Sequence, residues 1–261
     1  MTIQVLVATM NQQDYSLLEK MNIQSDAIIG NQCEKNEITE FDYNGNKIKW
    51  LSFAERGVGL NRNNTLMRAT ADICVLADDD MVFNAGYLQL VEKAFTDNPK
   101  ADIIVFNLDE NPVKRYKNKT TCKITKRNYG KYGAARIAFR RNKIMLNSIS
   151  FNLLFGGGAK YSAGEDSIFL KSCLDNGLKI YAVPYALAFL NDDRPSTWFN
   201  GYTDKYFFDK GVLYSCLYKK MTCIMCFYHC FKHRKKYKEY GWFKGYKMMV
   251  NGVISVSKGE I

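Results

Sequence analysis

The chain has 261 residues, enough to bury a large core, and with 47% apolar and 14% aromatic residues it reads as a globular protein and not a disordered one. No apolar run reaches the ~20 residues needed to span a bilayer and no secretion leader is evident, so the eight cysteines are expected to be reduced thiols in a cytoplasmic protein. The net charge of +11 is concentrated late: from Lys210 onward eleven Lys and Arg residues face two acids, Glu239 and Glu260. A basic tail on a nearly neutral body points to an anionic partner surface.

In chain order, apolar runs predict strands at Ile3–Met10, Ala27–Gln32, Lys47–Phe53, Asp72–Ala77 and Asp102–Asn107. Helical periodicity fits Tyr15–Met21, Leu60–Ala69 and Tyr87–Phe95 between them. Continuous apolar strands alternating with helices predict a mostly parallel sheet covered on both faces. Residues 108–126 are polar and basic and read as a hairpin or loop. A strand-like "ARIAFRR" follows, then the glycine-rich "FGGGAKYSAGED", a helix from Glu165 to about Asn176, and a last strand at "KIYAVPYALAFL". The tail beyond Lys210 is aromatic, cysteine-rich and basic.

Ligands bind such sheets at the carboxyl ends of the parallel strands. That rim collects Thr9–Asn11, Asn31–Gln32 and Asp78–Asp80. Three adjacent carboxylates repel one another unless a cation sits among them, and hard Mg²⁺ or Mn²⁺ takes one or two carboxylates together with substrate phosphates. A solvated turn is the plainer reading of the same three residues. "GVGLNRNN" opens a helix with Arg62 and Asn63 in its first turn, suited to a base or diphosphate, or simply a capped helix. It fails as a dinucleotide fingerprint, because Arg62 stands where the third glycine belongs. Glu165–Asp166 opens another helix; one of the pair has the chemistry of a general base, although acids also favour helix starts for dipole reasons.

Taken together and in this order, "ERGVGLNRNNTLMRATAD", "ICVLADDDMVF" and "GEDSIFL" resemble inverting glycosyltransferases of family 2, of the kind that build bacterial capsular or other surface polysaccharides. The resemblance covers roughly residues 1–200. It implies an α/β GT-A fold with a mixed, mostly parallel sheet: a Rossmann-like nucleotide-sugar half at 1–107, an acceptor half at 108–209, and a basic, largely helical tail at 210–261. It further implies Asp80 as ligand of Mn²⁺ or Mg²⁺ with Asp78 beside it, and Asp78 and Asp79 against the ribose and donor. Thr9, Asn11, Gln32, Arg62 and Asn63 become candidates for the nucleotide. Asp166 becomes the base and Glu165 an acceptor contact. The implied partners are a UDP-sugar donor and a lipid-linked saccharide acceptor, with the protein peripheral on the inner face of the membrane. Two departures stand out. The second strand ends in Asn31 and Gln32 where such enzymes often carry an aspartate that reads uracil. No histidine follows the last core strand, where "LAFLNDDRPSTWF" offers Asn191 and Asp192 to an ion and Arg194, Ser196 and Trp198 to diphosphate or acceptor.

Three other readings compete. "DDDMV" fits the Asp-x-Asp-x-Val nucleophile motif of haloacid-dehalogenase-like phosphatases, with Asp78 as nucleophile. A non-enzymatic binding protein acting through its basic tail is the second: interleaved cations and rings suit an anionic membrane surface or single-stranded nucleic acid, and the absence of any other nucleic-acid motif disfavours the latter. Leu213, Leu217, Met221, Ile224, Phe227 and Phe231 would meet the bilayer with Lys219, Lys220, Lys232, Arg234, Lys235 and Lys236, or else pack back on the body. Cys223, Cys226, Cys230 and His233 share one helix face; a single helix cannot wrap a zinc tetrahedron, so buried thiols are the better reading.

Overall fold

Period-two alternation of apolar side chains builds one sheet with a core on each face. In the computed structural model, which describes residues 1–113, 115–191 and 201–259, the strands are β1 (Ile3–Met10), β2 (Asp26–Gln32), β3 (Glu37–Tyr43), β4 (Asn46–Phe53), β5 (Ile73–Asp78), β6 (Met81–Phe83), β7 (Ile103–Asp109), β8 (Cys122–Ile124), β9 (Ile137–Arg140) and β10 (Ile180–Leu190). The helices are α1 (Leu17–Lys20), α2 (Val58–Arg68), α3 (Tyr87–Asp97), α4 (Arg141–Leu146), α5 (Glu165–Asp175), α6 (Asp204–Tyr218), α7 (Thr222–Lys232) and α8 (Trp242–Ser257). The sheet order is β3-β4-β2-β1-β5-β9-β7-β10-β6, with β8 on β10. β4, β2, β1 and β5 run parallel. β9 lies antiparallel between β5 and β7, and β10 resumes parallel pairing with β7. On β1 and β5, Leu6, Cys74 and Leu76 face a core shared with α2 and α5, while Val5, Val7, Ile73, Val75 and Ala77 face one shared with α1 and α3.

The sequence reading misses β3, the short strands β6 and β8, and α4. β3 pairs antiparallel with β4 through Asn44-Gly45, both at positive φ (49° and 78°), the geometry that Asn-Gly favours in a two-residue hairpin. β3 is amphipathic at best and mostly exposed, so no apolar run announces it. The antiparallel β9, expected as a strand at "ARIAFRR", makes the sheet mixed and mostly parallel, as the resemblance implied.

The carboxy-terminal helices are not a detached tail. The boundary expected at 209/210 falls inside α6, and Val212, Leu213 and Leu217 from it sit in the main core. A satellite core of Phe207, Cys226, Cys230, Tyr237 and Met249 joins α6, α7 and α8. The apolar residues expected at a bilayer therefore divide: Leu213 and Leu217 are buried, whereas Met221, Ile224, Phe227 and Phe231 are exposed. Cys226 and Cys230 are buried thiols and Cys223 is exposed, so the helix-face cysteines do not converge on an ion. Among the described residues no helix is long and apolar enough to cross a membrane.

Candidate functional site

Because β1, β2 and β5 run parallel, their carboxyl ends fall on one rim, with Thr9 opposite Asn31 and Ala8 opposite Asp78. Asn61 of α2 ties that rim together, donating to the carbonyls of Thr9 and Gly30 at 3.2 and 2.6 Å. The Thr9 hydroxyl donates to Asp79 at 2.6 Å and accepts from Gln12 at 2.9 Å. Asn31 is spent on a two-way clasp with the Gln12 backbone at 3.0 Å each way. Gln32 accepts the Gly57 N–H at 2.7 Å, leaving its NH₂ uncommitted among the described residues. Asn11 is exposed at φ 56°, the left-handed region that asparagine tolerates.

The centre of the site is Arg62. Its guanidinium is 5% exposed and donates to Asp78 at 2.7 Å and to Glu165 at 3.0 Å, over the ring of Phe151. Burial alone would weaken its charge; Asp78 and Glu165 outweigh that and hold the cation. Arg62 thus joins the aspartate triplet to the Glu165–Asp166 pair, itself 103 positions from Glu165, and is committed to carboxylates where a diphosphate contact was expected. Asn63 is likewise occupied: its amide exchanges hydrogen bonds with the Phe151 backbone at 2.9 and 2.8 Å, clasping α2 to that segment.

The remaining carboxylates differ in their surroundings. Asp80 has a buried Oδ1 without a hydrogen-bond partner. Burial first, then repulsion from Asp78 and Asp79, pushes its carboxyl up to about 6, with Arg115 pulling the other way. Asp166 is also pushed up to about 6, by burial and then by Glu165; the Ser167 N–H, donating at 2.6 Å, and the Arg62 charge oppose this. Gly164, at φ 119°, starts α5 and lies where any Cβ would strike Leu213 of α6, so the carboxy-terminal helices seat directly against the Glu165–Asp166 turn.

An orphaned buried oxygen on a carboxylate beside two others fits a hard cation. Asp78 keeps only one oxygen clear of Arg62, so Asp80 is the better donor of the two. Among the described residues no group of three or more His, Cys, Asp or Glu side chains gathers to hold an ion, so a cation here would need oxygens from a ligand as well. Asn191 is exposed and its backbone N–H donates to the Asp80 carbonyl at 2.9 Å; Asp192, Arg194, Ser196 and Trp198 lie outside the described residues.

Sequence reasoning missed Arg115 and Glu110, which pair at 2.6 Å beside Asp80, because the loop carrying them has no periodicity or motif. It also missed Gln12 and Asn61, whose signal was present in "MNQ" and "GLNRNN" but indistinguishable from ordinary polar loop and helix residues.

The model of glycosyl transferase family 2 matches residues 34–156. No curated protein matches the chain. Among solved structures, S. aureus TarS 1-349 in complex with UDP-GlcNAc superimposes with a TM-score of 0.61 at 17% identity, covering 83% of this chain and 66% of that one. TarS 1-349 in complex with UDP gives 0.58 at 18% identity, covering 83% and 65%. A further TarS structure gives 0.56 at 16% identity, covering 82% of this chain and 39% of its own. This chain therefore spans slightly under two thirds of TarS 1-349. The match begins just before β3, runs through the aspartate rim and ends ahead of Glu165. The chain has the GT-A fold, and its residues 34–156 match the model of glycosyl transferase family 2.

Proposed function

We propose that the protein transfers a sugar from a UDP-sugar to a hydroxyl of a saccharide acceptor, with inversion at the anomeric carbon. The observation carrying this reading is the Arg62 bridge, which holds Asp78 of the donor rim and Glu165 of the helix start in one connected site. UDP as carrier is supported by the UDP and UDP-GlcNAc bound to the TarS structures of the same fold. Thr9, Asn11 and the free NH₂ of Gln32 line the nucleoside end of the rim. Asp80, with the outer oxygen of Asp78, would hold Mg²⁺ or Mn²⁺ together with the diphosphate, supplying positive charge for the leaving group.

Asp166 performs the proton chemistry. Ionised at neutral pH with a basicity raised to about 6, it takes the proton of the acceptor hydroxyl as that oxygen bonds to the anomeric carbon. The bond from that carbon to the diphosphate oxygen breaks, and UDP leaves with the electron pair. Glu165, paired with Arg62, fixes the turn, and its like charge helps hold the Asp166 carboxyl up. A phosphatase using Asp78 as nucleophile is disfavoured, because Arg62 holds that carboxylate.

The exposed surface at and around α7 supports an acceptor held at a membrane, on a lipid-linked saccharide. There Met221, Ile224, Phe227 and Phe231 stand beside Lys219, Lys220, Lys232 and Arg234. Charge and apolar surface together on α7 and the turns flanking it favour an anionic bilayer on the cytoplasmic side over nucleic acid. Removing everything after 209 would cut α6 and expose the core, so the membrane test uses Ile224→Ser with Phe231→Ser, scored by flotation with anionic vesicles. Flotation lost in that pair supports the reading; a chain that ignores the vesicles before any change ends it.

The test of the activity is a panel of nucleotide sugars with Mn²⁺, scored for slow donor hydrolysis and for UDP affinity by calorimetry. Hydrolysis of one or more UDP-sugars that disappears on chelation supports the assignment. Binding of no nucleotide sugar under any metal condition would sink it.

A further inference from the structure

The loop from β7 to β9 closes a cavity of about 330 Å³ lined by Leu108, Arg115, Tyr116, Lys131, Gly133 and Arg136. Its position is fixed at both ends. Arg115 lies close enough to Asp80 to lower its carboxyl, and a Cβ on Gly133 would stand 3.5 Å from Asp166 Oδ2. The cavity thus borders the proposed base on one side and the aspartate triplet on the other.

Its charge is unbalanced. Arg115 is paired with Glu110 at 2.6 Å. Arg136 is buried at 3% exposure and spends its guanidinium on two backbone carbonyls, of Tyr116 and Lys131, at 3.0 and 3.1 Å. Lys131 is exposed, with its ammonium 3.7 Å from the Tyr116 ring centroid, and no carboxylate pairs with it among the described residues. Burial, with Arg115 repelling it, makes the Arg136 cation costly. The lining itself holds three cations and no carboxylate; Glu110 is taken by Arg115 and Asp166 stands at the border, so the buried guanidinium and the ring-supported ammonium are left to hold an anion by charge-assisted hydrogen bonds. Neither cation belongs to the Arg62 bridge.

We propose that this cavity is an acceptor subsite for an anionic saccharide, in which Lys131 and Arg136 hold a phosphate or carboxylate carried by the acceptor and Tyr116 packs against its sugar ring. The proposal rests on the transferase reading, since it takes Asp166 to mark the reacting hydroxyl. The location favours the acceptor over the donor: the cavity lies on the loop after β7, whereas the nucleoside end of the rim lies at β1 and β2 on the far side of the aspartates.

The test uses the full chain and three fluorescent hexasaccharide probes: a neutral glucan, an oligogalacturonate bearing carboxylates, and a phosphodiester-linked sugar chain. Affinities are measured with and without saturating UDP and Mn²⁺. At least one anionic probe should bind tenfold or more tighter than the neutral one, and should still bind when UDP is present. Lys131→Gln should erase most of that preference, Lys131→Arg should restore it, and Arg136→Lys should weaken it threefold or more, with thermal melting confirming that each variant is folded. The stronger of the two anionic probes identifies the group. Equal binding of neutral and anionic probes would overturn the proposal, as would displacement by UDP, which would give the cavity to the donor diphosphate. A tenfold preference for UDP-uronate over UDP-hexose that Lys131→Gln removes would likewise overturn it, moving the anion to the donor sugar. Failure of the transferase reading is separately visible: no UDP-sugar is hydrolysed, whatever the probes do.

Discussion

Asp78–Asp80 and Glu165–Asp166 each give one carboxylate to Arg62 and each leave a neighbour lifted to about 6, yet the two neighbours are placed differently. Asp80 owes its shift to burial and two like charges, and its inner oxygen has no donor at all. Asp166 owes its shift to burial and one like charge, and it is partly relieved by the Ser167 N–H and by Arg62. A buried carboxylate oxygen without a donor, beside two other carboxylates, favours a cation; a carboxylate with one like-charged neighbour and an N–H donor stays a carboxylate and can exchange a proton. Equal basicity, reached by different causes, assigns different work.

The comparison breaks most visibly at Asp166. Asp166→Asn removes the base without disturbing the donor rim, so transfer should fall by ~10²- to 10⁴-fold while UDP affinity with Mn²⁺ stays within about threefold. Steady-state kinetics and calorimetry on one preparation check it. If Glu165→Gln is inactive while Asp166→Asn turns over normally, the roles within the pair are exchanged.

Arg62→Met tests what the two groups share. It strands Glu165, 13% exposed, and the more open Asp78 without their cation, at a cost of about 3 kcal/mol in urea unfolding. Adding Glu165→Gln should recover part of that loss, because one uncompensated charge is gone. Additive losses in the double variant would show that the bridge is not an energetic unit.

A subtler separation comes from pH. Both carboxyls are raised above 3.8, so protonation favours the folded state: their contribution is complete below about 4 and is lost as pH rises through about 6. Without metal, Asp80→Asn should flatten the stability profile between those limits and leave the protein about 1–2 kcal/mol more stable at pH 7. With Mn²⁺ and UDP the wild-type penalty at Asp80 should vanish, while the rate of transfer should still rise through pH ~6 as Asp166 ionises. A metal-free profile unchanged by Asp80→Asn would mean that Asp80 is not strained as described.

The smallest effect is expected at Thr9→Val, which removes the hydroxyl holding Asp79 at 2.6 Å. A loss of about 1 kcal/mol, roughly fivefold in UDP affinity, is the scale of one such hydrogen bond. Calorimetry checks it, and a loss of a hundredfold would make Thr9 a direct ligand contact.

The parallel half was legible because its strands are buried on both faces and read as plain apolar runs, and because Asp78–Asp80 sit where such a strand must end. Glu165–Asp166 was legible by order of motifs alone. What could not be read was anything made by distant partners. Arg62 looked free because neither Asp78 nor Glu165 is near it in a way that spacing reveals, and Asn63 looked like a ligand contact because its clasp on Phe151 spans 88 positions. The aromatic, basic end misled for a related reason. Leu213 and Leu217 look the same in sequence as Ile224 and Phe231, and only the docking of α6 against Gly164 buries the first two.

The placement of β9 between β5 and β7 has a consequence for how the chain is made. β5 carries Asp78 and is complete at that residue, but its second edge is paired only by residues 137–140. At roughly 5–20 residues per second of synthesis, that edge waits several seconds for its partner on the ribosome. An apolar strand with an open ladder invites pairing with a neighbouring nascent chain. Until β9 arrives, neither β7 nor the β10 that follows can join the sheet, so the halves bearing the aspartates and the base close in one late step. Substitutions that weaken Ile137 or Phe139 should therefore lower the yield of soluble protein more than they lower the activity of the molecules that do fold.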